Sequence, residues 1–294
     1  MTDEIDFLIL KKLFENSRLT YRDLADVCDL SVSATHKRIK KLEEDGIIEV
    51  YIARPSPIAL KYLLVVIFGT SDAKSMDSVS RELGQHENIS FVGIAGAKSL
   101  YVNIFLRNLS ELQELSTYVS KIAKISTPRV GIVNLPYITT PEQLTKIDYK
   151  ILKTLNKDAR KPIVDIADDV GISAKTVKKR IDRMIENNLV TFSIQWKIWY
   201  ASFITVFRIM LNEGTNISST IQYLNQKYAK NVYKCISYSN IPNMVTFEIL
   251  TKHAKESQKI QEELQTEGFK NITPYVGISG EYYDNWLDQL LRTK

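Results

Sequence analysis

Two basic segments hold the side chains of this sequence that are best suited to contact a polyanion. They read SVSATHKRIKKLEEDGII at residues 31–48 and SAKTVKKRIDRMIENNLV at residues 173–190. Each opens on a serine that can cap a helix, Ser31 or Ser173, and continues with apolar residues spaced by three and four. The outward positions of the two predicted helices carry hydroxyls and cations: Ser33, His36, Lys37, Arg38 and Lys41 in the first, and Lys175, Thr176, Lys178, Lys179, Arg180 and Arg183 in the second.

These side chains suit double-stranded DNA, because a helix about 10–12 Å across fits the major groove, which is about 12 Å wide. Hydroxyls and lysines of the first turn would approach base edges, and later cations would meet phosphates. Binding should then weaken steeply with salt, and Lys179→Ala with Arg183→Ala should flatten that dependence. A basic face is also the ordinary solvated face of a surface helix, and helical triads also serve as protein-docking domains.

Each basic segment is preceded by two shorter helical patterns, which together predict a helix-turn-helix module. In the first copy, apolar residues recur with helical period from Ile5 to Leu13, and Thr20 is the predicted N-cap of a helix ending near Cys28. The basic helix is expected to end at Gly46. Its predicted buried stripe consists of Val32, Thr35, Ile39 and Leu42.

The module occurs twice. Residues 5–48 align with residues 147–190 without a gap, and 15 of the 44 pairs are identical. A second pair of similar segments, TPRVGI at 127–132 and TPYVGI at 273–278, shows that the repeat extends beyond the helical halves to two units of about 140 residues each. Residues 1–50 hold eight basic and eleven acidic residues, net −3, whereas residues 145–195 hold eleven and seven, net +4. The second copy is therefore expected to bind DNA more tightly than the first.

The second half of each unit has the order strand, helix, strand, strand, helix, strand, which predicts a ferredoxin-like sandwich. The predicted segments are 62–70, 76–87, 89–96, 100–108, 109–123 and 129–138 in unit one, and 200–211, 217–230, 231–239, 243–251, 254–267 and 269–279 in unit two. Residues 134–144 form the predicted linker. A terminal amphipathic turn, WLDQLLRTK, is expected to pack back on the sheet.

The predicted fold class is thus α+β, a tandem repeat of a winged/helix-turn-helix domain and a ferredoxin-like βαββαβ domain. The predicted boundaries are 1–52 and 145–195 for the helix-turn-helix domains, and 58–138 and 198–290 for the ferredoxin-like effector and oligomerisation domains. Exposed sheet faces usually pair with another subunit, so we expect a homo-oligomer, a dimer of fused pseudo-dimers.

The composition of the 294 residues, 44% hydrophobic and 25% charged with net charge +5, is ordinary for a globular protein. No apolar run approaches the ~20 residues that span a bilayer, and the N-terminus is acidic, so a cytoplasmic protein without membrane contact is expected. Cys28 and Cys235 are expected to be buried thiols. We find no catalytic triad, phosphate-binding glycine loop or metal cluster, and predict neither an enzyme nor a cofactor.

The helical halves resemble the N-terminal domain of the Lrp/AsnC transcription regulators. The resemblance rests on Ile147-Asp148, Ile151-Leu152, Asp158-Ala159-Arg160, Ala167, Gly171, Ser173 and Arg180-Ile181. The first copy matches more loosely, with Asp29 where the family usually has glycine. The resemblance implies a sequence-specific DNA-binding regulator whose βαββαβ halves serve effector binding and oligomerisation, here with two family-like units fused in one chain.

The family's effector turn, often Gly-Asp-Tyr-Asp, is replaced here by GAKSLY at 96–101 and SNIPNM at 239–244. A small-molecule effector of unknown identity would meet Gly96, Lys98, Ser99, Ser239 and Asn240, but without the family's carboxylates. Two alternatives stay open. The same fold resembles siroheme decarboxylases, although the His-Asn-Tyr type segment of those enzymes is missing, since the three histidines lie at 36, 86 and 253. The chain could also be an interaction protein whose helix-turn-helix modules no longer bind DNA.

Overall fold

The computed structural model describes residues 3–135, 140–200, 202–269 and 271–294. They form two compact units, each of which combines like halves of the repeat. The helix-turn-helix unit comprises the described residues within 1–62, 137–197 and 284–294. The sheet unit comprises those within 63–136 and 198–283. Residues 136–139, in the predicted linker and at the end of the predicted strand 129–138, lie outside the described residues.

The predicted helices and strands occur in the predicted order, and most have shorter bounds. The last strand instead extends to Tyr282, past its predicted end at residue 279. The helices are α1 Glu4–Glu15, α2 Tyr21–Cys28, α3 Val32–Glu44, α4 Pro57–Leu60, α5 Met76–Leu83, α6 Leu112–Ala123, α7 Lys146–Leu155, α8 Ile163–Val170, α9 Ala174–Glu186, α10 Ile217–Lys227, α11 Ala254–Thr266 and α12 Trp286–Thr293. The strands are β1 Ile48–Pro55, β2 Leu63–Thr70, β3 Ile89–Ala95, β4 Ser99–Leu106, β5 Arg129–Ile132, β6 Val190–Trp196, β7 Phe203–Met210, β8 Val232–Ser237, β9 Met244–Thr251 and β10 Asn271–Tyr282.

The helix-turn-helix unit contains two modules. The first module is α1–α3 with β1, and the second is α7–α9 with β6. Capping boxes built on Asp3, Thr20 and Thr145 start α1, α2 and α7, so side chains satisfy the free N–H groups of these first turns. The tight turn between the last two helices needs a left-handed residue, which is Gly171 in the second module and Asp29, at φ 53°, in the first. Aspartate is one of the few non-glycine residues that adopts this conformation readily.

The strand that follows each module pairs with its counterpart from the other module. β1 and β6 run antiparallel, from Ile48 opposite Trp196 to Pro55 opposite Val190. Ala53 of β1 lies in the core of the second module, and Phe14 of α1 stacks on Trp196 of β6 at 5.5 Å between ring centroids. The two modules therefore share their interior.

The sheet unit is built on eight strands in the order β5-β2-β4-β3-β10-β7-β9-β8. Each half of this order is the 4-1-3-2 arrangement of a ferredoxin-like sandwich, so the predicted fold class is confirmed. The long strand β10 joins the halves, because its first part pairs with β7 and its last part pairs with β3. Helices α5 and α6 cover one face of the first half, and α10 and α11 cover one face of the second.

The helix-free faces of the two half-sheets contact each other within the chain. Buried Val66 and Phe68 of the first half pack with Tyr238 and Met244 of the second. Gly131 is required at this contact, since a Cβ there would lie 2.3 Å from the Tyr238 ring. The expectation of sheet faces left open for another subunit is therefore wrong for this contact, because the fused second unit already supplies the covering face.

The C-terminal segment does not pack on the sheet as expected. It forms α12, which lies in the helix-turn-helix unit, with Leu291 in the core of the second module. Arg54 of β1 holds it through a bidentate ion pair with buried Asp288, at 2.8 and 2.9 Å. The apolar side of this helix is therefore buried against the second module instead of the sheet.

Three smaller expectations also differ from the structure. The helix predicted at 76–87 ends at Leu83, and Gly84 packs against the Tyr283 ring, where a Cβ would lie 2.1 Å from the ring. The helix predicted at 109–123 starts with a 3-10 turn before α6. Both cysteines are free, but Cys235 is partly rather than fully buried.

Candidate nucleic-acid interface

The predicted basic helices are α3 and α9, and both begin as expected. Ser31 Oγ accepts a hydrogen bond from Ala34 N at 3.1 Å, and Ser173 Oγ accepts one from Thr176 N at 3.1 Å. Each serine thereby satisfies one of the four N–H groups that a helix start leaves free. The N-cap assignments are confirmed.

The inner faces of α3 and α9 fix which side chains point outward. Thr35, Ile39 and Leu42 of α3, and Val177, Ile181 and Met184 of α9, are buried. Val32, predicted to be buried, is 45% exposed. It is the first helical residue, and the apolar stripe of α3 reaches the core only at Thr35.

Three lysines of these helices are exposed and form no ion pair or hydrogen bond through their side chains with any described residue. They are Lys37 on α3, and Lys175 and Lys179 on α9. Ser33 is exposed beside them, and the Thr176 hydroxyl lies 2.8 Å from Ser173 Oγ. His36 is exposed and packs edge-on against Tyr21 at 4.9 Å. These side chains are available to a partner without breaking an internal ion pair.

Other lysines on the same helices pair with acids one turn ahead. The Nζ–carboxylate distances are 3.1 Å for Lys41 and Asp45, and 2.6 Å for Lys178 and Asp182. Both lysine side chains are 66% exposed. Exposed i,i+4 pairs contribute only about 0.3–0.5 kcal/mol. A phosphate could therefore replace the carboxylate at small cost.

The arginines of both helices bind the start of the first helix in their own module. Arg38 donates to Asp6 at 2.7 Å and to Asp3 at 2.8 Å. The hydrogen bond with Asp6 raises the pKa of the Arg38 guanidinium. This is an internal structural contact, and it positions α3 against α1.

The second module repeats the contact with one more arginine. Arg183 donates to fully buried Asp148 at 2.6 Å and also pairs with Glu142, while Arg180 lies 3.6 Å from Asp148 and donates to Thr145. Sequence reasoning missed this role. The signal was available, because Asp6 and Asp148, and Arg38 and Arg180, are identical pairs at the same offset of the repeat.

Two equivalent arginines connect the modules. Arg18 Nη1 donates to the Ala159 carbonyl at 2.7 Å, and Arg160 Nη1 donates to the Ser17 and Leu19 carbonyls, both at 3.0 Å. The Arg160 guanidinium also lies 4.8 Å from the centre of the Tyr21 ring. These contacts and the β1–β6 pairing hold α3 and α9 within one unit.

The first predicted effector turn is bound to other parts of the sheet unit. Gly96 N donates to the Val276 carbonyl at 2.8 Å, and Lys98 Nζ donates to the Ala73 carbonyl at 2.9 Å. Ser99 is the buried first residue of β4 rather than a turn residue. The polar groups of Gly96 and Lys98 are thus used within the chain.

The second turn binds the edge strand β5. Asn240 Oδ1 accepts from Ile132 N at 2.8 Å, and Asn240 Nδ2 donates to the Val130 carbonyl at 2.7 Å. Ser239 N donates to the Ile132 carbonyl at 2.8 Å. This turn therefore fastens the two half-sheets together, which is a different contact from that of the first turn.

Within the described ranges, no group of three His, Cys, Asp or Glu side chains could hold a metal ion. None of the helices described is long and apolar enough to cross a membrane. His86 packs near Tyr118 at 5.0 Å, and His253 precedes α11, so the three histidines are far apart in the chain and in different elements.

This architecture defines a protein with two winged helix-turn-helix DNA-binding domains, and the model of that family matches residues 2–49 and 144–191. The transcriptional regulator LrpA of Pyrococcus horikoshii is 32% identical over 127 residues, which cover 42% of this chain and 89% of LrpA. LrpA of Mycobacterium tuberculosis is 28% identical over 138 residues, covering 46% of this chain and 92% of that protein. The chain belongs to the Lrp/AsnC family of helix-turn-helix transcription regulators.

Solved structures of the siroheme decarboxylase NirDL match the fused arrangement of two units. The siroheme decarboxylase NirDL covers 99% of this chain and 98% of its own, with a TM-score of 0.61 and 15% sequence identity. At that identity the likeness shows the fold alone. Each LrpA relative, by contrast, spans less than half of this chain.

Proposed function

We propose that this protein is a sequence-specific DNA-binding transcription regulator in which one chain presents two recognition helices, α3 and α9. The supporting observation is that both helices expose unpaired cations while their arginines and apolar faces are held internally. Lys37, Lys175 and Lys179 are these cations among the described residues. We propose, on the same grounds, that the protein is cytoplasmic and that its partner is double-stranded DNA.

The contacts divide the predicted DNA-binding residues into two groups. Ser33, Lys37, Lys175, Thr176 and Lys179 are the direct contacts, with first-turn side chains at base edges and later lysines at phosphates. Lys41, Lys178 and His36 add phosphate contacts from the flanks. Arg38, Arg180 and Arg183 act by fixing the orientation of the helices through their carboxylate partners.

The two recognition helices are not equivalent. At matching positions, Ser33 and Ala34 of α3 correspond to Lys175 and Thr176 of α9. The second module also carries the positive net charge. We therefore propose that α9 binds more strongly, and that the preferred site has two dissimilar half-sites, since two-fold symmetry of a site mirrors two-fold symmetry of the protein.

Selection of genomic DNA fragments on the purified chain, followed by sequencing, tests the proposal. The matched variants are Lys37→Ala/Lys175→Ala/Lys179→Ala and a control, Lys255→Ala/Lys259→Ala, on exposed positions of α11 in the sheet unit. The wild type and the control should enrich one motif with unlike halves, and the triple variant should enrich none. Absence of any enriched sequence would favour the alternative that the chain is an interaction protein that does not bind DNA. Enrichment of identical inverted half-sites would contradict the proposed unlike half-sites but not DNA binding itself.

The fold likeness to a siroheme decarboxylase supports one alternative, an enzyme acting on a tetrapyrrole. We infer that the chain regulates rather than catalyses, because its sequence relatives are regulators and the His-Asn-Tyr type segment is missing. Titration with siroheme, followed by visible absorption, separates the two. A saturable spectral shift with loss of a substrate carboxylate would support the enzyme, and an unchanged spectrum would support the regulator.

Self-association and effector binding are separate proposals. We propose that fused chains dimerise through surfaces other than the paired inner sheet faces, which light scattering on the purified protein measures directly. We do not assign an effector to the turns at 96–99 and 239–240, because their polar groups bind neighbouring strands.

A further inference from the structure

The first turns of the two recognition helices present different chemical groups, although they occupy equivalent positions of the repeat. The first three helical residues are Val32, Ser33 and Ala34 in α3, and Ala174, Lys175 and Thr176 in α9. Neither of these described first turns contains an acidic residue that would repel DNA. The two turns therefore differ in what they could recognise on a base edge.

Val32 exposes apolar surface on the first turn of α3. Its side chain is 45% exposed, whereas Thr35 of the same helix is fully buried. A branched side chain is less favourable in a helix than alanine, and the equivalent residue of α9 is Ala174. The start of a recognition helix in this repeat therefore does not need a branched apolar residue at this position.

An exposed apolar side chain in the major groove has one specific partner, the 5-methyl group of thymine. The other residues of the turn are less selective. The Ser33 hydroxyl can donate or accept and so fits several base edges, and Ala34 offers only a methyl group. Val32 is therefore the side chain of this turn with the largest apolar surface for a thymine.

Lys175 gives the first turn of α9 a different character. It is exposed and forms no ion pair or hydrogen bond through its side chain with any described residue. A cation in the first turn is unfavourable for the helix, because it lies beside the positive end of the helix dipole. The equivalent residue of α3 is Ser33, so the repeat does not need a cation at this position.

An ammonium group donates hydrogen bonds and accepts none, so at a base edge it needs acceptors. Guanine presents two of them, O6 and N7, side by side in the major groove. The neighbouring Thr176 hydroxyl lies 2.8 Å from Ser173 Oγ and is already engaged with the helix cap. Lys175 is therefore the free polar side chain of this turn.

Given the proposed function, on which this inference rests, we infer that α3 reads a thymine through Val32 and that α9 reads a guanine through Lys175. The Val32 methyl groups contact the 5-methyl group of the thymine. The Lys175 ammonium donates to O6 and N7 of the guanine. The two half-sites differ because these two side chains differ.

Base analogues in the selected DNA site test both contacts. Deoxyuridine lacks the thymine methyl group, and 7-deazaguanine has a C–H group in place of N7. Each thymine and each guanine of the two half-sites is replaced in turn, and fluorescence anisotropy measures the dissociation constant. For the wild type, we expect one deoxyuridine to weaken binding about four-fold and one 7-deazaguanine about five-fold or more.

Two variants identify the side chain that reads each base. Val32→Ala should lose the response to deoxyuridine and keep the response to 7-deazaguanine, and Lys175→Ala should show the reverse. The controls are Val27→Ala, at a 49% exposed position of α2, and Lys255→Ala, at the second residue of α11, which is the position of Lys175 in α9. Both controls should keep both responses. A cooperative thermal transition verifies that each variant is folded.

The possible outcomes separate this inference from DNA binding itself. A wild type that selects a DNA site but responds to neither analogue at any position would overturn the inference and leave the proposed function intact. A response that persists unchanged in folded Val32→Ala or Lys175→Ala would overturn the assignment of that side chain. A wild type that selects no DNA would overturn the proposed function and the inference together.

Discussion

Arg18 and Arg160 occupy equivalent positions in the two copies of the repeat, and each donates to backbone carbonyls of the loop that carries the other. Arg18 reaches Ala159, and Arg160 reaches Ser17 and Leu19. The two cations are close enough that Arg160 lowers the pKa of Arg18, after the larger effect of burial. The carbonyls compensate that repulsion, so the contact joins the modules and fixes the two recognition helices within one unit.

Removing one side of this contact should loosen the pairing of the modules. Arg160→Met loses two charged hydrogen bonds, and we expect the local opening free energy of β1 and β6 to fall by roughly 2–3 kcal/mol. Hydrogen exchange of the β1 and β6 amides measures it. Arg22→Met, at an exposed position of α2 where the side chain forms no hydrogen bond or ion pair with a described residue, is the control and should change little. Equal protection in both variants would show that the strands alone hold the modules together.

The C-terminal helix should be essential to the stability of the helix-turn-helix unit. Asp288 is fully buried, and Asp288→Asn leaves Arg54 without its anion. Breaking a buried pair on one side costs about 3–5 kcal/mol, whereas an exposed pair contributes about 0–1 kcal/mol. Asp284→Asn, which breaks the exposed pair with Arg292, is therefore the matched control. Denaturant unfolding compares them, and equal losses would refute the role assigned to Asp288.

Substitutions of an arginine and of a lysine on α9 should have different effects, the first on the stability of the fold and the second on DNA affinity. Arg183→Met leaves the buried Asp148 carboxylate with weaker partners and should lower the free energy of unfolding by roughly 2–3 kcal/mol. Lys179→Ala should leave stability within about 0.5 kcal/mol and weaken DNA binding. Thermal unfolding and a gel-shift titration on both variants test this. The reverse pattern would restore Arg183 as a direct DNA contact, as first predicted from the sequence.

The partly buried carboxyl of Glu248 should make the sheet unit less stable as pH rises. Its folded-state pKa is raised above about 4.5, so its favourable contribution is complete below that pH and is lost as pH rises through the folded-state value. Glu248→Gln should therefore unfold at a higher temperature than the wild type at pH 7.5 and at the same temperature near pH 4. Glu213→Gln, an exposed control in the same unit, should show no such trend. A constant difference at every pH would contradict the assignment.

Local features of this fold could be predicted from the sequence. Ser31, Ser173 and Thr20 cap helices because the cap interaction spans three residues, and apolar spacing identified the strands and helices of both halves. The association of like halves could not be predicted, since it depends on pairing between β1 and β6, some 140 residues apart. The docking of α12 could not be predicted either, since it depends on the contact between Arg54 and Asp288, which are 234 positions apart.

The sequence predicted which two helices form the candidate site, but the structure changes the roles of some of their side chains. Lys37, Lys175 and Lys179 lie exposed as expected. Arg38 and Arg183 bind carboxylates that come from other parts of the chain, Asp6 and Asp148. Helical periodicity predicts which face of a helix a side chain lies on. It does not show whether a carboxylate from another helix lies close enough to pair with that side chain.

The central claim, that α3 and α9 are two DNA-reading helices in one chain, is tested most directly by the salt dependence of binding. The measurement is fluorescence anisotropy of the wild type, Lys37→Ala, Lys175→Ala/Lys179→Ala and the α11 control on one selected DNA site, repeated at several salt concentrations. The slope of log K against log salt should become shallower by about one for the single variant and about two for the double variant. Slopes and affinities equal to the wild type in both recognition-helix variants would contradict the account.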